Sequence, residues 1–185
     1  MAIEIVSVTP EAFAGDEDIH ERIARIFYAV YTIAPFFDSE AQVAASLVGQ
    51  SRYAERPGFR CLLARDSARD EVVGFAFGHT LLPGNGWWDN VPPAMTKATR
   101  ERWLADCWVL VEFAVLPRWQ GQGIGGRLHD AALAGLPHAT AILSTPQMDT
   151  NALALYRKRG WVTLLSDFFF PDVFTPFLIL GKELS

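Results

Sequence analysis

Two features of this sequence carry residue types that can do chemistry. The first lies in Val109–Arg127, VLVEFAVLPRWQGQGIGGR, where an apolar run meets Pro117 and then Gly121, Gly123, Gly125 and Gly126. Glycine lets backbone amides converge with no side chain in the way. The start of a following helix leaves N–H groups without intrahelical partners and carries partial positive charge. Strand, glycine turn and helix start in that order make an anion site suited to a pyrophosphate. Arg118 and Arg127 flank the turn and add charge in a protein of net charge −5. The second feature is Glu112, inside the same apolar run. In a strand over Cys107–Val115, Trp108, Leu110, Glu112 and Ala114 share one face, and Val109, Val111, Phe113 and Val115 the other. Both faces are apolar, as in a central strand covered on both sides. A carboxylate there is costly unless it is paired or used. Either Glu112 pairs with a buried Arg, or it handles a proton.

The rest of the chain supplies elements to hold these residues. Ile3–Val8 reads as a strand stopped by Pro10. Asp16–Ile33 reads as a helix, with Ile19, Ile23, Ile26, Phe27 and Val30 at helical spacing and Pro35 closing it. Ser39 is placed to cap a second helix, Glu40–Gln50. Gly58–Arg65 and Val72–Thr80 read as a hairpin, and Leu81–Pro93, with its prolines and glycines, as a loop. A short helix over Met95–Ala105 leads into strand Cys107–Val115. Helix Gln122–Leu133, strand Thr140–Ser144 and helix Thr150–Arg159 follow, the last closed by Gly160. Trp161–Ser166 and Phe174–Gly181 read as closing strands. This is one mixed α/β domain over residues 1–185, with a strand–helix–strand unit at its centre.

Gly121-x-Gly123-x-x-Gly126 also fits the dinucleotide fingerprint, but Leu116–Gln120 separate it from its strand, and no acidic residue ends the next strand. The stretch instead resembles the GNAT superfamily of N-acetyltransferases, whose signature is apolar-Val-x-Pro, then Gln/Arg-x-x-Gly-x-Gly/Ala. Here it reads Ala114-Val115-Leu116-Pro117, then Gln120-Gly121-Gln122-Gly123-Ile124-Gly125. A second element of that family, an Asn starting a helix followed by Tyr, Gly and an aromatic, is matched by Asn151, Tyr156, Gly160 and Trp161. The resemblance spans nearly the whole chain. It implies a mostly antiparallel six- to seven-stranded sheet flanked by helices, with a V-shaped splay between two central parallel strands. It implies acetyl-CoA as cosubstrate, with no metal. The backbone of Phe113, Ala114 and Val115 would meet the pantetheine arm, and Gln120, Gly121, Gln122, Gly123, Ile124, Gly125 and Gly126 the pyrophosphate. Asn151 would hydrogen-bond the coenzyme and Tyr156 would sit near its sulfur. Asn151 and Tyr156 are roughly 140° apart on an ideal helix, so their pairing rests on the resemblance and not on spacing.

The implied activity is transfer of an acetyl group to a primary amine by direct attack in a ternary complex; a non-catalytic acyl-CoA-binding module is the alternative. An alkyl ammonium with pKa near 10.4 is neutral only about once in 2,500 molecules at pH 7, so a proton acceptor is needed. Glu112 is the candidate base, and Tyr156 the candidate acid unless it is a core tyrosine beside Leu155. The N–H of Val115 is placed to steady the developing oxyanion. His20, His79, His129 and His138 are scattered and none is assigned to catalysis. Phe36-Phe37 and Trp87-Trp88-Asp89 border the acceptor side in relatives; here they serve acceptor recognition, core packing or a dimer contact.

An acidic surface disfavours nucleic acid as a partner. No run approaches the roughly 18 apolar residues of a membrane span, and the N-terminus lacks a signal-peptide pattern, so a cytoplasmic protein is expected. Cys61 and Cys107 sit in apolar runs as buried reduced thiols. The aromatic tail Phe168-Phe169-Phe170 leaves a homodimer possible or closes the core.

Overall fold

Each helix start in the first third of the chain is set by a side chain that satisfies an otherwise orphan amide. In the computed structural model, which describes residues 3–84 and 86–184, Thr9 Oγ1 accepts from the Ala12 amide and Asp16 Oδ1 from Asp18. They open α1 (Pro10–Gly15) and α2 (Glu17–Tyr31). Ser39 and Gln42 form a reciprocal capping box that opens α3 (Glu40–Leu47). The helix ends at Leu47, three residues short of the expected Gln50, and a 3₁₀ turn over Gln50–Glu55 follows.

The strands are β1 (Ile3–Val8), β2 (Arg60–Asp66), β3 (Glu71–Thr80), β4 (Cys107–Val115), β5 (Thr140–Pro146), β6 (Val162–Phe168) and β7 (Phe177–Glu183). They form one seven-stranded sheet in the order β1-β2-β3-β4-β5-β7-β6. The β1–β2, β2–β3, β5–β7 and β6–β7 pairs are antiparallel, and β4 runs parallel to β5. The remaining helices are α4 (Gly86–Ala94), α5 (Lys97–Trp103), α6 (Ile124–Leu133) and α7 (Asn151–Lys158). The mixed, mostly antiparallel sheet with flanking helices is the fold class the resemblance implies.

Contacts divide the chain into two units, Met1–His79 with Val111–Ala134, and Thr80–Leu110 with Gly135–Ser185. In the first, Phe13 is 1% exposed and packs on Phe59 and Phe77 at ring distances of 4.9 and 5.2 Å. Arg60 of β2 reaches the C-terminus of α6 and donates to the carbonyls of Ala132 and Ala134 at 3.0 and 2.7 Å. A cation there meets the negative end of the helix dipole and fixes that end of α6. In the second unit, Trp108, Ile142 and Ile179 are fully buried. Gly181 lies so close to Trp103 that an added Cβ would meet its Cε3 at 2.7 Å.

Two further elements differ from the sequence expectation. Helix α1 forms where Pro10 reads as a strand stop; Pro suits the first helical position, where no amide bond is needed. The stretch Leu81–Pro93, read as a loop, contains α4; Asn85 within it lies outside the described residues, as do Met1 and Ala2. Pro92 and Pro93 fall in the last turn of α4, and Arg100 takes the carbonyls of Pro92 and Met95 at 3.1 and 2.8 Å. Trp87 ties the helix to β5, its Nε1 donating to Ser144 Oγ at 2.6 Å, and Val91 is fully buried.

Candidate active site

The glycine turn is built by β4 and α6. Leu116 N donates to Val73 O at 2.8 Å, and Pro117–Trp119 then forms a 3₁₀ turn with Trp119 buried. Gln120 Nε2 donates to Val115 O at 2.9 Å, pinning the turn to the strand that precedes it. Gly121 and Gly123 have φ of +73° and +77°, a left-handed backbone that only glycine adopts without strain. An added Cβ at either would meet nothing within 4 Å, so both lie against open space. Gly123 is the N-cap of α6 and makes no side-chain cap hydrogen bond. A ten-residue helix start without a side-chain cap, entered through the exposed Gly121, Gln122 and Gly123, fits a diphosphate. Gly125 lies beside Phe113, whose Cζ would be 3.5 Å from an added Cβ. The flanking arginines are engaged elsewhere: Arg118 pairs with Glu71, which Arg25 also approaches at 3.2 Å, and Arg127 donates to Ile3 O at 2.8 Å. The Arg118 charge is thus met by a carboxylate, while Arg127, bonded to a neutral carbonyl, keeps its charge.

Glu112 sits where β4 ceases to be fully covered. Cys107–Leu110 are buried, Val111–Phe113 are half-buried, and Ala114 and Val115 are buried again. The Tyr31 hydroxyl, at the end of α2, donates to Glu112 Oε2 at 3.3 Å. Among the described residues no Arg, Lys or His forms an ion pair with Glu112, so the buried-arginine alternative does not hold. Desolvation pushes its pKa from 4.5 up to about 7, against the opposing effect of the Tyr31 hydrogen bond. Tyr53, from the 3₁₀ turn after α3, is raised as well, first by desolvation and then by the negative charge of Glu112, with Arg56 opposing. Tyr53 stacks on buried His79 at 5.5 Å. The sequence reading missed Tyr31 and Tyr53. The signal available for Tyr31 was its place four residues after Phe27, on which its ring packs at 5.3 Å. In the turn between α2 and α3, Phe36 packs edge-on to Tyr31 at 5.0 Å, and Phe37 is 73% exposed with φ +55°.

The second unit carries the other two singled-out side chains. Asn151 is the exposed first residue of α7; the cap is Thr150, which accepts from Leu153 N at 3.0 Å. Tyr156 is 5% exposed and packs edge-on to Trp161 at 5.8 Å. Trp88 is half-buried and Asp89 exposed in α4. Phe168, Phe170 and Phe177 pack against one another at 4.9 and 5.1 Å, while Phe174 is 95% exposed. Cys61 and Cys107 are buried, and desolvation pushes each thiol up to about 12.

The acetyltransferase (GNAT) family model matches residues 17–161. This chain belongs to the GNAT acetyltransferase family. The chain is 30% identical over 129 residues to the GCN5-like protein acetyltransferase Rv2170 of Mycobacterium tuberculosis, a match covering 65% of this chain and 63% of that protein. The chain thus spans under two thirds of that relative's length. In fold it is similar to PH1933 from Pyrococcus horikoshii OT3, with TM-score 0.69, 18% identity, and coverage of 100% of this chain and 99% of that one. It is also similar to a chain of the NatC complex bound to Gag peptide and CoA, with TM-score 0.67, 14% identity and full coverage of both chains. Among the described residues no group of three or more His, Cys, Asp or Glu could hold a metal ion, and no helix is long and apolar enough to cross a membrane.

Proposed function

We propose that this GNAT chain acts as a single domain, an acetyl-CoA-dependent N-acetyltransferase that acylates a primary amine by direct attack. The observation that carries the reading is the turn Gly121–Gly126, whose open left-handed glycines and uncapped helix start suit a coenzyme diphosphate. Bound acetyl-CoA supplies an acyl group on a thioester, whose thiolate is a fair leaving group with pKa near 8.5. Amides of Gly121, Gln122, Gly123, Ile124, Gly125 and Gly126 hold the diphosphate. Gln120 holds the turn, and the backbone of Phe113, Ala114 and Val115 meets the pantetheine arm. The Val115 N–H steadies charge developing on the acyl oxygen. Asn151 hydrogen-bonds the coenzyme, and Tyr156 gives a proton to the departing sulfur. Glu112 takes the proton from the ammonium; a carboxylate with pKa about 7 is half ionised at neutral pH and matched to that task. Direct attack is supported by the cysteines, since neither buried, protonated thiol suits an acyl-enzyme.

Calorimetric titration with acetyl-CoA and NADH, followed by thiol-release assays on a panel of amines, tests the reading. Binding of acetyl-CoA alone, with thiol release on an amine, is expected. Tight binding with no release on any acceptor would establish the non-catalytic module instead. Glu112→Gln lowers kcat/KM by about 10²–10⁴-fold and flattens the rise of the pH–rate profile near 7. Unchanged kinetics would remove Glu112 from the mechanism.

A further inference from the structure

Resting on the reading of Glu112 as proton acceptor, we propose that Tyr31 is the positioning residue of that base, fixing its carboxylate from the end of α2. Three observations lead there. Tyr31 O–H donates to Glu112 Oε2 at 3.3 Å, from an element far away in sequence. The Tyr31 ring is itself held between Phe27 at 5.3 Å and Phe36 at 5.0 Å, and Phe27 stacks in turn on Phe75 of β3 at 5.4 Å. The backbone closes the arrangement, with Asp38 N donating to Tyr31 O at 2.9 Å. A flexible carboxylate on β4 is thus met by a hydroxyl on a braced ring. A general base works when its oxygen is held in one place, because misplacement by about 1 Å costs up to about 10²-fold in rate.

The same contact sets the protonation of the base. A donor to a carboxylate favours the ionised form, so Tyr31 opposes the desolvation that raises Glu112. Three further groups belong to this neighbourhood. Tyr53 of the 3₁₀ turn feels the Glu112 charge, Arg56 beyond it acts on Tyr53 in the opposite sense, and His79 of β3 stacks on Tyr53. No charged residue of β4 itself accompanies Glu112.

Tyr31→Phe keeps the ring and removes only the hydroxyl. The acidic limb of kcat/KM, near pH 7 in the wild type, is expected to move up by about one pH unit, the equivalent of one hydrogen bond. The loss in kcat/KM is then about sevenfold greater at pH 6.5 than at pH 9, a loss of up to about 10²-fold from the misplaced oxygen persists at pH 9, and KM for acetyl-CoA stays unchanged. A purely structural tyrosine would instead lower kcat/KM by one factor at every pH and leave the acidic limb where it lies in the wild type. A second readout needs no activity: the Glu112 Cδ titration followed by carbon-13 NMR, with the signal assigned through its loss in Glu112→Gln, shifts upward in Tyr31→Phe. An unshifted Glu112 titration in Tyr31→Phe overturns the inference. If Glu112→Gln keeps the wild-type rate and profile, the base reading fails instead, and the two failures are told apart.

Discussion

Strand β4 is two regions in one element. From Cys107 to Leu110 every residue is buried, and Cys107–Val109 pair in parallel with Thr140–Ile142. From Val111 to Phe113 the burial lapses, and the strand's single carboxylate, Glu112, stands in that lapse beside a tyrosine hydroxyl. The residue alternation is the same in both halves and only the surroundings differ. A fully covered strand tolerates apolar side chains alone, because an unpaired charge there has no solvent and no partner. Where the cover opens, a carboxylate persists, desolvated enough to hold its proton to about pH 7 and accessible enough to exchange it.

The comparison can be broken most forcefully at Trp108, which is fully buried. Trp108→Ala is expected to cost about 3–5 kcal/mol in urea unfolding. Glu112→Leu, four residues on, should leave stability at pH 8 unchanged or raised; equal losses in the two variants would erase the distinction between the halves. The next effect is a dependence on pH. Glu112 is raised in the folded state, so between 4.5 and about 7 the native protein holds a proton that the unfolded chain has released. Stability contributed by this group is complete below that window and is lost as pH rises through it. The wild-type minus Glu112→Gln difference in unfolding free energy should fall across that range, and a flat difference would show a solvated carboxylate. The smallest effect belongs to the turn. Gly123→Ala should cost about 1–2 kcal/mol through its left-handed backbone alone, since its Cβ meets open space. Gly125→Ala, with an ordinary contact to Phe113, should cost less; the reverse order of melting temperatures would contradict the geometry of the turn.

Strand β4 was legible in sequence to the residue because nine consecutive residues carry one exception to an apolar pattern and end before a proline. The glycine turn was legible because its residue types admit few other uses. Helix α4 was not: Pro92 and Pro93 argue locally against a helix, and what sustains it is distant in sequence, the Trp87–Ser144 hydrogen bond and the burial of Val91. The charge of Arg118 was read as added to the turn, since sequence proximity says nothing of Glu71, which pairs with it.

The sequence by itself determined most of the elements, the family and the place of a costly carboxylate, because backbone geometry and hydrophobic periodicity are properties of neighbouring residues. Only the tertiary structure decided the partner of Glu112. Tyr31 is 81 residues away and its hydroxyl arrives through the packing of α2, with Phe27 buried against β3. Whether a buried carboxylate meets an arginine or a tyrosine is settled by which side chain the fold brings within hydrogen-bonding distance, and no local pattern encodes that choice.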